Sequence, residues 1–328
     1  MPRPAHRRRG AAAAALVTVA MLSACTSDSG DTAAPKPTPV VAETAATGTA
    51  SGVVAAAVAA RSDVSAGGGA AREKAFTGAA LDSANAFAKT LPARTAAEEA
   101  ASELAPQGIK VLGVSRAGDS PRQILAQTTL VKGGAAVLVL LVSPDAATDF
   151  KVAAITPMLK GSTLEALDPV SMGSAAVGAG DGLAAKPDAV LTAFASSVKF
   201  PAPTTTPLLA GDPLSDQLRA SAAAQSKAIS GQGTFSQTHE PKGVVGGLRL
   251  EGGSGAVVFA DLVRDDAIAL RQAAKLTPAK DVTLLSGLKL ITTEAKLTTN
   301  ETVAMVIPSS GAARLVGYSD QLVNATGR

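Results

Sequence analysis

Few residues in this chain have side chains suited to chemistry. Cys25 is the only cysteine, and His6 and His239 are the only histidines. A lone thiol has no disulfide partner, and it makes a thiolate metal site only if other ligands converge on it. His239 stands in Gln237-Thr238-His239-Glu240, next to Pro241, with no second histidine or cysteine nearby. That placement predicts a surface or edge histidine at a strand end, neither a poised base nor a metal ligand. A serine nucleophile needs a strained turn with a base close in space. Gly252-Gly253-Ser254-Gly255 resembles that turn only loosely and reads as a hairpin connection. The acid pairs Glu98-Glu99 and Asp265-Asp266 are sequence neighbours. Their side chains point apart on a helix or strand, so each reads as solvated charge. Gly67-Gly68-Gly69 and Gly178-Ala179-Gly180 lack the preceding strand and following lysine of a phosphate loop. With no tryptophan, one tyrosine and seven phenylalanines, no aromatic platform for glycans or bases is expected. The sequence therefore predicts no catalytic residue, no metal site, no cofactor and no nucleic-acid partner.

Cys25 takes its meaning from the residues before it. Residues 1–10 carry Arg3, Arg7, Arg8 and Arg9 and no acid; residues 11–22 are apolar apart from Thr18; Leu22-Ser23-Ala24 then leads into Cys25. A basic head, a short apolar stretch and small residues form an export-signal layout. The apolar stretch is too short for a permanent span of the roughly 30 Å hydrocarbon core. The alternatives are an ordinary secretory peptide with an incidental cysteine, or a basic arm. The stretch resembles the signal of bacterial lipoproteins. The resemblance implies that residues 1–24 are removed and that the Cys25 thiol accepts a diacylglycerol group. The mature chain would then be held by its acyl chains on the extracytoplasmic face of the membrane, since two or more chains anchor durably where one does not. Removing the signal also changes the charge. The chain has 30 basic and 27 acidic residues, and four of the arginines lie in residues 1–24, which leaves 26 against 27. No excess positive charge is left to favour nucleic acid.

The elements that follow divide the chain into four parts. Residues 25–50 are rich in threonine, alanine and proline and predict a disordered tether. Residues 51–180 predict a first α+β domain and residues 181–328 a second, each with helices packed on an antiparallel sheet. In the first, helices are expected over 53–64 and 79–91, where Ala80, Ala84, Phe87 and Leu91 recur at helical spacing, and a short turn over 98–104. Strands are expected over 109–116, 122–131, 135–142 and 150–158, joined by short turns that require antiparallel neighbours. The continuous apolar run at 135–142 implies a strand covered on both faces. Residues 159–186 read as an interdomain passage. In the second domain, Pro187 opens a helix with Val190, Leu191, Phe194 and Val198 on one stripe. Asp212 can cap another that runs to Gly231. Strands are then expected over 234–238, 244–250, 256–264, 288–298, 302–307 and 314–318. A faint echo links residues 76–81 with residues 209–214, consistent with an internal repeat.

The stretches 150–159, 182–195, 211–229 and 235–239, with Ala295-Lys296-Leu297-Thr298-Thr299 and residues 303–308, resemble a family of actinobacterial lipoproteins of unassigned function. The helix-then-meander layout is also similar to the cone of nuclear-transport-factor-type domains. Together they imply a membrane-tethered, non-catalytic protein that binds or scaffolds other envelope proteins. The alternative is a carrier of a small apolar ligand in a cone-shaped cavity. Small residues such as Gly246, Gly247 and Ala256, beside Val258 and Phe259, are candidates for leaving that cavity open.

Overall fold

The computed structural model describes residues 37–178, 180–272 and 274–328. The signal stretch, Cys25 and the beginning of the tether lie outside them. Among the described residues no helix is long and apolar enough to cross a membrane. The described residues form one compact unit.

The fold is α+β, with two antiparallel sheets. The first half opens with α1 (Glu43–Ser62), α2 (Gly68–Ala75), α3 (Gly78–Thr90) and α4 (Ala96–Ser102). The first sheet follows as a meander in the order β1-β2-β3-β4: β1 (Lys110–Val114), β2 (Arg122–Thr129), β3 (Ala136–Ser143) and β4 (Lys151–Pro157). The second half repeats the plan. Helices α5 (Pro187–Val198) and α6 (Pro213–Ile229) precede β5 (Gly233–Arg249), β6 (Gly255–Leu270), β7 (Glu294–Pro308) and β8 (Arg314–Gly327), with α7 (Lys280–Ser286) between β6 and β7. The echoed residues occupy matching places. Phe76 makes a parallel bridge to Val152 in the fourth strand of its half, and Leu209 makes one to Ala313, just before β8.

Strand alternation dictates the layering. In β3, Val137, Val139 and Leu141 join the core under α1, with Ala46, Ala50 and Val54, while Leu138 and Leu140 face the other way. In β6, Val258, Ala260 and Leu262 pack beneath α5 with Leu191 and Phe194; Val257 and Phe259 face the other way. The second faces meet each other in a middle core. The molecule is therefore four layers, helix–sheet–sheet–helix, and β3 is covered on both faces as its apolar run implies.

Two glycines let the sheets approach, and a third makes room for the segment that joins them. A Cβ on Gly246 would sit 2.7 Å from Gln123 Oε1 and 3.0 Å from Leu140 Cδ2; one on Gly317 would sit 2.9 Å from Thr156 Oγ1; one on Gly113 would sit 2.7 Å from Leu167 Cδ2. Gln123 is buried, and its Oε1 accepts from the Gly247 amide across the sheets at 2.8 Å. The cavity expected beside Gly246, Gly247 and Ala256 is thus absent. The missing side chains are replaced by neighbours, because interiors close up around small residues wherever the backbone permits. Residues 159–186 are stitched to both sheets. Ser174 bridges Ser115, Ala176 bridges Leu248 and Leu167 bridges Leu250, while Arg116 pairs with Asp168 at 2.9 Å.

Several boundaries differ from the sequence expectation. The tether does not run to residue 50. Helix α1 starts at Glu43, and Ala46 and Ala50 are fully buried. Alanine is the strongest helix former, and Thr44 and Thr47 face solvent, so the threonines do not oppose the helix. The stretches 234–238 and 244–250 form one strand, β5. It lies at the sheet edge, where Pro241 lacks only an outward-facing donor, and bulges absorb the irregularity between Pro241 and Gly243 and between Val244 and Gly246. Residues 302–307 likewise belong to one long strand, β7, with 294–301. Neither α2 nor α7 is anticipated by the periodicity.

Gly246→Ala is expected to destabilise the fold by about 1–3 kcal/mol through overpacking against Gln123 and Leu140. Gly69→Ala in α2, where a Cβ meets nothing within 4 Å, should be neutral or slightly stabilising. Denaturant titrations of the two variants against the parent check both.

Candidate functional site

A cavity with a largely apolar wall lies at the seam between the first-half helices and the two sheets. It has a volume of about 290 Å³, and its apolar wall includes Phe76, Ala80, Ala84, Leu104, Leu130 and Ile155. A second cavity of about 260 Å³ adjoins it, sharing Arg61, Phe76, Ser102, Leu104 and Ile155 and continuing past Phe87 and Leu91. Ligand sites commonly run from roughly 300 to 1,000 Å³. The opening has a local cause. Ala57 on α1 and Ala80 and Ala84 on α3 stand where larger side chains would fill the gap between helix and sheet. The short helix α4 closes one side. It is fixed by a capping box in which the Glu98 amide donates to Thr95 Oγ1 and the Thr95 amide donates to Glu98 Oε2.

One cation reaches both cavities. Arg61 sits in the last turn of α1, on the same stripe as Ala46, Ala50, Val54 and Ala57. Its guanidinium lies 3.8 Å from the Phe87 ring centroid and donates to the Ser102 carbonyl at 3.1 Å. Arg94 lies 4.4 Å from the same ring centroid and donates to Gln321 Oε1 at 3.1 Å; its Nε is buried without a partner. Burial, with the neighbouring charge of Arg94, lowers the Arg61 pKa to about 10, so it remains charged at neutral pH.

The far wall is the second sheet, through Asn300, Thr302, Tyr318 and Asp320. Two of these belong to a buried polar network. Tyr318 donates its hydroxyl to Glu301 Oε1 at 2.7 Å, and Arg264 pairs with the same oxygen at 3.1 Å and with Asp320 at 3.3 Å. Glu301 Oε2 lies 2.7 Å from His239 Nδ1; His239 Nε2 lies 3.1 Å from Gln237 Oε1; and Gln237 Nε2 donates to Asp266 at 2.7 Å. Burial would raise the Glu301 carboxyl, but the His239 hydrogen bond, Arg264 and the Tyr318 hydroxyl hold it below the usual carboxylate range. Burial and the Glu301 charge push the Tyr318 phenol up, so it stays a donor.

Two expectations are corrected by this network. His239 lies on the edge strand β5, but within it and not at its end, and its side chain is fully enclosed with both nitrogens engaged. Asp265 and Asp266 do point apart, yet only one meets solvent chemistry. Asp265 pairs with Lys296 at 2.8 Å, whereas Asp266 is buried against Gln237 and Arg264. The cause is the length of β6, which runs well past the expected end at residue 264. Ser254 lies in the turn between β5 and β6, as expected of a hairpin connection. No group of three His, Cys, Asp or Glu side chains among the described residues could hold a metal ion. Sequence reasoning did not pick out Arg61 or Arg94. The available signal was an arginine in register with a buried alanine stripe.

Compared with family models, curated proteins and solved structures, the chain matches none.

Beside the cavity, Thr302 donates to Asp261 Oδ1 at 2.7 Å. Burial raises the Asp261 carboxyl to about 6, with the Thr302 bond offsetting part of the rise. An unfolded aspartate titrates near 3.9. Between about pH 4 and 6 the native state therefore holds a proton that the unfolded chain has lost, and the residue's contribution to stability falls as pH rises. Asp261→Asn should remove that slope. It should stabilise the fold at pH 7.5 by at most about 3 kcal/mol while changing little at pH 4, as read by denaturant midpoints at the two pH values.

Proposed function

We propose that the chain is an extracytoplasmic lipoprotein, moored to the membrane through acylated Cys25, that binds a small and largely apolar molecule without transforming it. The observation that carries the binding reading is the paired cavity at the helix–sheet seam, with its wall of Phe76, Leu104, Leu130 and Ile155. In this reading the first-half helices and sheet act as a cone of the nuclear-transport-factor type, and the second half supplies its far wall. A non-catalytic role is supported by the state of His239. It is the one histidine beyond the signal, and its enclosed ring is committed to Glu301 and Gln237. The resemblance of residues 22–25 to lipoprotein signals supports the mooring.

A second reading, a scaffold for other envelope proteins, is favoured by an open groove of about 800 Å³ along α1, where Gly48, Gly52 and Ala56 face residues 146–150.

Two measurements test the proposal. Protein isolated from membranes of the producing cell should show, in native mass spectrometry, a fraction carrying one added small molecule. Uniformly empty protein that no amphiphile stabilises against heat would remove the binding reading and leave the scaffold. In a detergent phase split the parent should enter the detergent phase and Cys25→Ser the aqueous phase; an aqueous parent would remove the mooring.

A further inference from the structure

The apolar cavity contains a charge that the protein does not neutralise. Among the described residues no carboxylate comes within the 4.0 Å ion-pair distance of Arg61 or Arg94. Glu99 and Glu103 line the second cavity without reaching that distance, and Asp320, on the wall of the first, is paired with Arg264. Desolvating a cation without a counter-ion is costly. Two guanidiniums on one phenylalanine ring add mutual repulsion, which the ring only partly offsets. The Ser102 carbonyl takes one Arg61 donor, which leaves further N–H groups on the one guanidinium that lines both cavities.

We propose that Arg61 is the head-group end of the cavity, and that the bound molecule is an acidic amphiphile whose carboxylate or phosphate oxygens meet this guanidinium while its apolar body lies along Phe76, Leu104 and Ile155. The proposal rests on the binding reading above and narrows it. A guanidinium presents paired donors that match either oxyanion. Ser102 and Ser83 offer hydroxyls on the same walls. The apolar surface between Phe76 and Leu130 suits a chain or ring system carrying no further charge.

The test uses the full chain carrying Cys25→Ser, so that no acyl group of its own competes. Decanoate, decyl phosphate and methyl decanoate are titrated by calorimetry. The parent should bind at least one of the two anions tenfold or more tighter than the neutral ester, about the strength of a charged hydrogen bond; which anion is tighter identifies the head group. Arg61→Leu should abolish the preference while leaving ester binding within about twofold, and Arg61→Lys should retain part of it. Circular dichroism establishes that each variant folds, and Arg61→Lys carries the test if Arg61→Leu does not. Ester binding equal to anion binding, or a preference undiminished in both Arg61→Leu and Arg61→Lys, would overturn the head-group assignment alone. Binding of none of the three would overturn the binding reading with it.

Discussion

The close contact of the two sheets at Gly246 and Gly317 is the constraint on which the architecture depends. Sheets normally pack about 10 Å apart with side chains interdigitating between them. Here, at these two positions, a side chain from the opposite sheet occupies the space a Cβ would need: Gln123 with Leu140, and Thr156. The contact is not purely apolar, because Gln123 crosses it to reach the Gly247 amide. A buried amide oxygen with a single well-placed donor penalises sliding, since any shift of register leaves it unpaired. The middle core of Leu125, Leu138, Leu140, Val257 and Phe259 supplies attraction without direction. The glycines and Gln123 supply the alignment.

That alignment explains where the cavity lies. The strands of the first sheet have 5 to 8 residues, and those of the second have 14 to 17. Once the short sheet is docked on one end of the long one, the remainder of the long sheet has no sheet opposite it. Helix α3 reaches across to β8 and α7, and Asn300 donates to the Ala79 carbonyl at the N-terminal end of α3. The helix is alanine-rich and cannot fill the step between a sheet that ends and a sheet that continues. The opening follows from that geometry, and no side chain is displaced to create it.

The buried network on the long sheet has a related cause. Beyond Leu262 and Val303 the face that packs under α5 turns from apolar to charged, through Arg264, Asp266, Glu301 and His239. Replacing such a cluster with apolar residues of similar volume is often neutral or stabilising, so its presence is weak support for stability. Its members are nonetheless nearly all satisfied, with Arg264 Nε the exception. A fully enclosed Glu301 shared by His239, Arg264 and Tyr318 fixes the relative register of β5, β6, β7 and β8 in a region where the short sheet gives no guidance. Through Tyr318 and Asp320 the same network fixes the far wall of the cavity.

The sequence made some of this legible and hid the rest for identifiable reasons. The strands of the first sheet are bounded by strong turn formers and have a clear apolar pattern, and each lies within a few residues of its expected position. Two of the long strands, β5 and β7, read as pairs because Pro241 and the polar run Thr298-Thr299-Asn300-Glu301-Thr302 look like interruptions. An edge position excuses the first and a buried hydrogen-bonded network the second, and both are tertiary facts. Glycine carried the opposite of its expected meaning. At Gly246 it marks a close contact between the sheets, while the open space is left by alanines, which local reading takes as ordinary helix formers. Arg61 was visible in principle. A charged residue at the fifth position of a stripe formed by Ala46, Ala50, Val54 and Ala57 must either end the buried face or be received by something inside it. The chain places Phe87, the Ser102 carbonyl and an unfilled cavity there, so the stripe continues into the site and the arginine stands on its wall.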